Sequence, residues 1–155
     1  MSMKVVKRDI SLRELIEFDK ALSKKYITYG VHKDKGVEMR GKVNEAEIAS
    51  FIEFGTRLIP ARPAIRTYLV SPKKRRELLN KEAEIMGYSI KRKSAKLFWN
   101  NLAKFVQKHI KGRILSGLKP SNAPSTIAHK GFDLPWVDTG KLVFEDMEAR
   151  VNEHK

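Results

Sequence analysis

The chain has 155 residues, no cysteine, and 32 lysines and arginines against 18 aspartates and glutamates, a formal net charge of +14. That length suits one domain, residues 1–155, able to bury a core, and the lack of cysteine excludes disulfides, zinc-thiolate sites and thiol catalysis. No apolar run approaches the ~18 to 20 residues of a membrane span, and residues 1–9 lack the apolar core of a signal peptide, so a cytoplasmic protein that makes no membrane contact is expected.

Ser11 and Glu14 form a capping box, and Leu12, Leu15, Phe18 and Leu22 follow at helical spacing, which predicts an amphipathic helix over 12–24. The β-branched and aromatic run from Tyr26 to His32 reads as a strand, and residues 33–42, with Gly36 and Gly41 among charges, as a loop or loose hairpin. Asn44 and Glu47 repeat the capping pattern ahead of Ala46, Ile48, Ala49, Phe51 and Ile52, a helix that ends at Phe54 with Gly55 as its stop. Pro63 is expected at the first position of a short helix reaching residue 70. Pro72 starts another, running to Met86 with Leu78, Leu79 and Ala83 on its core side and Gly87 as its stop.

A longer helix spans Ser94 to Ser116, its apolar stripe traced by Phe98, Leu102, Phe105, Val106, His109, Ile110 and Ile114, with Lys104, Lys108 and Lys111 opposite. Residues 117–137 carry Pro120, Pro124 and Pro135 and little periodicity, and so read as a long loop. Compact domains seldom keep about 20 structureless residues without a functional reason, here a partner. Beyond Gly140, alternation through Met147, Ala149 and Val151 gives a final strand able to pair with the first. The fold expected is α+β, a small antiparallel sheet with strands near 26–32 and 142–151 packed with four or five helices, and a long proline-containing loop near the C-terminus.

No reactive constellation stands out. The four histidines are far apart, His109 reads as a core residue, and His129 with Asp133 and Asp138 makes only a weak case for a hard-cation cluster. Asp138-Thr139-Gly140 matches an aspartic-protease triplet, but such an enzyme needs two aspartates sharing a proton, and no second triplet exists. A turn is the better reading, with Asp138 bonding the backbone ahead of it and Gly140 supplying positive φ. No catalytic residue, cofactor or metal is assigned, and the chain is not expected to be an enzyme.

Two stretches instead suggest surfaces. Residues 53–66, Glu-Phe-Gly-Thr-Arg-Leu-Ile-Pro-Ala-Arg-Pro-Ala-Ile-Arg, combine a helix stop at Gly55, two stiffening prolines, Pro60 and Pro63, and the cations Arg57, Arg62 and Arg66. Glu53 sits at the negative end of its helix dipole, a placement costing ~0.3 to 1 kcal/mol unless offset, so an ion pair with one of those arginines, within the subunit or across a subunit boundary, is expected to fix the elbow. Residues 72–113 hold 13 lysines or arginines against 3 glutamates, with Lys73, Lys74, Arg75, Arg76, Lys91, Arg92 and Lys93 as candidate polyanion contacts. Nucleic acid, an acidic neighbouring subunit and a merely solvated surface all remain open for that field. Trp99 reads as packing, whereas Trp136 is divided between interface and local packing.

The elbow at 53–66, Pro-Ser-Thr-Ile-Ala-His-Lys-Gly at 124–131 and Leu-Pro-Trp-Val-Asp-Thr-Gly-Lys-Leu at 134–142 together resemble the tail-component, or virion-morphogenesis, proteins of long-tailed double-stranded DNA phages. The family order of strand, Ala-containing helix ending in Glu53-Phe54-Gly55-Thr56, the Pro60 to Pro63 segment, two helices and a late Asp138-Thr139-Gly140 turn is kept over 26–151, with Ala64 and Trp136 standing where Phe and Leu are usual. The resemblance implies a structural phage or prophage protein that completes the tail or joins head and tail at the neck. It further implies self-association into a ring among other connector or tail proteins, with the host cytoplasm giving way to the virion as its location. The alternative from a different class is a stand-alone basic protein that binds DNA non-specifically through phosphate contacts.

Overall fold

The computed structural model describes residues 10–32, 34, 39–40 and 43–154. In chain order these are α1 (Leu12–Ser23), β1 (Lys25–Val31), β2 (Met39–Arg40), β3 (Val43–Asn44), α2 (Glu45–Phe54), α3 (Ile65–Val70), α4 (Pro72–Lys91), α5 (Ala95–Leu115), α6 (Pro124–Lys130), a π-helical turn (Leu142–Asp146) and β4 (Met147–Glu153). The class is α+β, as expected. β1 pairs with β4 antiparallel, from Lys25 opposite Glu153 to Val31 opposite Met147, and β2 pairs with β3 in a short hairpin. Gly36 and Gly41, and the N-terminal segment 1–9, lie outside the described residues.

Both capping boxes form. The Glu14 N–H donates to Ser11 Oγ at 3.3 Å and the Ser11 N–H to Glu14 Oε2 at 3.0 Å, and Asn44 and Glu47 make the same exchange at 2.9 Å each way. Helix α5 is the axis of the core. Its Val106, Ile110 and Ile114 pack with Tyr68, Trp136, Val137, Val143 and Met147, while Phe98 and Leu102 nearer its start pack with Ile85 and, from α1, Phe18 and Leu22. The other half of the α1 stripe is not used inside the fold, since Leu12 is 74% exposed and Leu15 and Ile16 are also exposed.

Four boundaries differ from the sequence reading. Helix α4 passes through Gly87 and ends at Lys91, because Ile85 and Ser89 on either side of the glycine are buried and that packing outweighs the ~1 kcal/mol helix penalty of glycine. The left-handed residue that turns the chain is Lys93, at φ 52, so a lysine does here what glycine was expected to do at 87. Residues 117–137 are not all loop. Pro124 starts α6 and Gly131, at φ 79, ends it by donating its N–H to Ile127 C=O at 2.7 Å. Pro63 precedes α3 by two residues instead of opening it, and residues 142–146 form the π-helical turn instead of strand.

The sharp turn between α4 and α5 is held to α1 by one ion pair, Lys93 Nζ to Glu14 Oε1 at 2.6 Å. Lys93, with help from the Ser11 N–H and hydroxyl, holds the Glu14 carboxyl down at about 2, against an ordinary 4.5. A carboxyl depressed on folding stabilises the folded state above its unfolded pKa, and the contribution is lost as pH falls from 4.5 through about 2. The Glu14 carboxyl carbon, followed by NMR, should therefore titrate near 2, and Lys93→Ala should return it toward 4.5.

Candidate functional site

The elbow begins where α2 ends. Gly55 has φ 79, and a side chain there would bring its Cβ within 2.8 Å of the Ala61 nitrogen and 3.0 Å of the Ile59 oxygen, so only glycine fits. Thr56 shapes the next turn, its hydroxyl accepting the N–H groups of Leu58 and Ile59 at 3.2 and 3.0 Å. The chain then runs back along α2, where the Arg62 N–H donates to Ile52 C=O at 2.8 Å.

Glu53 is buried, and its carboxylate accepts the N–H groups of Ala64 at 2.8 Å, Ile65 at 3.1 Å and Arg66 at 2.8 Å. It thereby caps α3 from another element, in place of the local side-chain cap that Ala64 cannot supply. The ion pair expected within the subunit does not form. Among the described residues no salt bridge joins Glu53 to Arg57, Arg62 or Arg66, because the backbone donors at the positive end of α3 take up its charge.

Arg62 is used inside the chain. Its side chain is buried, with Nε donating to Pro120 C=O at 2.6 Å and Nη2 to Ser121 C=O at 2.8 Å. Its own carbonyl accepts the indole N–H of Trp136 at 2.9 Å. Trp136 is 2% exposed, which decides between its two readings in favour of packing within the chain. Asp133 serves the same junction, its Oδ1 accepting the Asn122 N–H at 2.8 Å, and that bond holds its carboxyl below the usual range. Asp138 and Thr139 are exposed, and Gly140 has φ 91, the positive value expected of the turn. Among the described residues no group of three His, Asp or Glu side chains is placed to hold a metal ion.

Two of the three separated motifs, 53–66 and 134–142, therefore meet in one junction, with Glu53, Arg62 and Trp136 as its internal ties and the segment just ahead of the third held to it through Arg62. What the junction presents outward is apolar. Phe54 is 64% exposed and Leu58 89%, with Ile59, Leu69 and Val70 also exposed. Arg66 lies over the Phe54 ring at 5.5 Å, and Arg57 and Pro60 are exposed beside it. Phe54, Arg66 and Leu69 rim a depression of about 300 Å³ between β1, α2 and α3, floored by Trp136 and Met147. The candidate polyanion residues fall into two groups, Lys73 to Arg76 at the start of α4 and Lys91 to Lys93 at its end. Lys74 is paired with Glu77 at 2.7 Å and Lys93 with Glu14, while Arg92 lies over the Tyr88 ring at 5.3 Å.

Comparison with models of protein families, with curated proteins and with solved structures finds no match in any of the three. No helix among the described residues is long and apolar enough to cross a membrane.

The burial of Arg62 and the capping role of Glu53 were not readable from the sequence, since an arginine between two prolines reads as exposed. One signal was available. Ala64 at a helix start has no capping side chain of its own, which calls for an acceptor from elsewhere.

Proposed function

We propose that this chain is a structural protein of phage or prophage virion assembly, acting at the neck to complete the tail or to join it to the head. The observation that carries the reading is the tie between the 53–66 and 134–142 motif segments in one junction with an exposed apolar crest. A bonded, proline-stiffened crest loses little conformational freedom when a partner covers it, which favours assembly.

Self-association is part of the proposal. The crest around Phe54 and Leu58 lies toward the C-terminal end of α5, where Arg62 binds Pro120 and Ser121. The second exposed apolar surface, Leu12, Leu15 and Ile16, lies on α1, which is tied to the turn before α5. Two unlike surfaces at opposite ends of a helix of 21 residues, ~30 Å long at 1.5 Å per residue, suit a head-to-tail contact, and such contacts close into rings when the rotation is right. The net charge of +14 opposes that contact until tail or head proteins or salt offset it.

The isolated chain should therefore sediment as a monomer or weak oligomer at low salt and associate further as salt is raised. The double variant Phe54→Glu with Leu58→Glu should remain monomeric at every salt concentration, with its melting temperature within about 2 °C of the parent, as expected of exposed positions. A tight ring forming from the purified chain alone, unaffected by that double variant, would remove the elbow from the interface. Mass spectrometry of purified virions should find the polypeptide, and infectious particles lacking it would end the neck reading.

A further inference from the structure

We propose that the seam between α4 and α5 is a binding site for the phosphate backbone of a nucleic acid. Two depressions adjoin there and share Lys108. The wider one, about 710 Å³, is lined by Lys81, Tyr88, Lys91, Lys104, Phe105 and Lys108 among others. The smaller, about 380 Å³, lies where α3 meets the seam and is lined by Tyr68, Lys74, Lys108, His109 and Arg113 with Gly112 and Ser116. Folding thus gathers cations from α4 and α5 along one track, with the rings of Tyr68, Tyr88 and Phe105 among them.

The charges on this track are mostly uncommitted. Lys91, Lys104 and Lys108 are exposed and take part in no salt bridge among the described residues. Glu84 is the one carboxylate lining the wider depression, and it is neutralised by Lys81 at 2.6 Å. In the smaller depression, Lys74 is held by Glu77 at 2.7 Å.

The smaller depression also contains unanswered donors. Tyr68 is 2% exposed, yet its hydroxyl has no hydrogen-bond partner, and Arg113 Nε is likewise buried and unpartnered. Buried donors of this kind are normally satisfied, and an anionic oxygen entering beside Lys108 would answer both. The start of α4 points the same way. Lys73, Lys74, Arg75 and Arg76 stand at the positive end of the helix dipole with no acid in the first turn, a placement that opposes helix stability. An external polyanion turns that conflict into attraction.

A nucleic acid fits better than an acidic protein surface because the track is long and carries rings. From Lys74 to Lys91 it follows α4 for roughly 25 Å at 1.5 Å per residue, the span of about seven phosphates of one strand at 3.4 Å each. Tyr88 is 47% exposed at the rim with Arg92 over its ring at 5.3 Å, a ring and a planar cation together on which an unpaired base would stack. The contact would be phosphate-directed and read little sequence. It rests on the seam alone, so its failure leaves the elbow reading untouched.

Fluorescence anisotropy with a labelled strand of about 20 nucleotides, alone and as a duplex, titrated between about 50 and 200 mM salt, tests the proposal. The parent should bind at least one of the two forms. Lys104→Glu with Lys108→Glu should weaken that binding at least tenfold and lower the slope of log affinity against log salt by about 1.4 to 1.8, the loss of two phosphate contacts. Lys20→Glu with Lys24→Glu on and beside α1, an equal change of net charge, should alter affinity less than about twofold. Tyr68→Phe should weaken binding by roughly threefold, one neutral hydrogen bond, while leaving the salt slope unchanged. Should the first double variant fail to fold, Lys91→Gln with Lys104→Gln, set against Lys20→Gln with Lys24→Gln, makes the comparison at half the change of charge. No binding at the lowest salt overturns the proposal, as do equal losses in the two charge-reversed doubles. Displacement of the strand by polyglutamate at equal charge concentration also overturns it, and would assign the seam to an acidic protein partner.

Discussion

Glu53→Ala is expected to lower the unfolding free energy by about 3 kcal/mol, the sum of a lost cap and backbone donors left buried without acceptors. At ~2 to 4 °C per kcal/mol for a chain of this size, the melting temperature should fall by about 6 to 12 °C in a calorimetric scan. The residue carries three N–H groups of α3 and is 4% exposed, so water cannot replace it without opening the elbow. Glu53→Gln sharpens the test. Its carbonyl oxygen can keep part of the cap, but its amide nitrogen meets N–H groups with another donor, so it should remain clearly less stable than the parent. A charge-neutral glutamine that matched the parent would mean that the backbone donors of α3 do not depend on the carboxylate.

Trp136→Ala should cost more, about 4 kcal/mol, because a fully buried indole is removed and its cavity cannot close against a rigid neighbourhood. The Arg62 carbonyl also loses its donor. Trp136→Phe separates the two contributions. The ring volume is largely kept and the N–H bond is lost, so a cost near 1 to 2 kcal/mol is expected in denaturant melts. If the phenylalanine variant proves as unstable as alanine, the hydrogen bond to Arg62 matters more than the packing. Both variants should also loosen the 117–123 segment, since Arg62 reaches from the same residue to Pro120 and Ser121.

What was legible in the sequence was whatever depends on neighbours in the chain. Ser11 with Glu14 and Asn44 with Glu47 are three residues apart, and each pair closes in the structure as its spacing requires. The pairing of the first and last long strands followed from their composition and the order of elements. Contacts across many residues were not legible. Glu53 is 11 residues from Ala64, and Arg62 is 58 from Pro120, so no local pattern announces either bond. Helix α6 is an intermediate case, for Pro124 and Gly131 are the usual start and stop residues, but seven residues are too few to display a period. The basic seam shows the same limit, because Lys91, Lys104 and Lys108 become one track only after α4 and α5 are folded together.

The pairing of β1 with β4 has a bearing on how the protein is made. β4, which completes this sheet, follows α2 to α6 in the chain, so β1 is made before them and at first offers its edge with nothing to join. The sheet therefore closes only after every helix between the two strands is out of the ribosome. A chain that stops ahead of Met147 would keep the six α-helices of the described residues but lack the β1–β4 pairing, leaving the edge of β1 open to proteases.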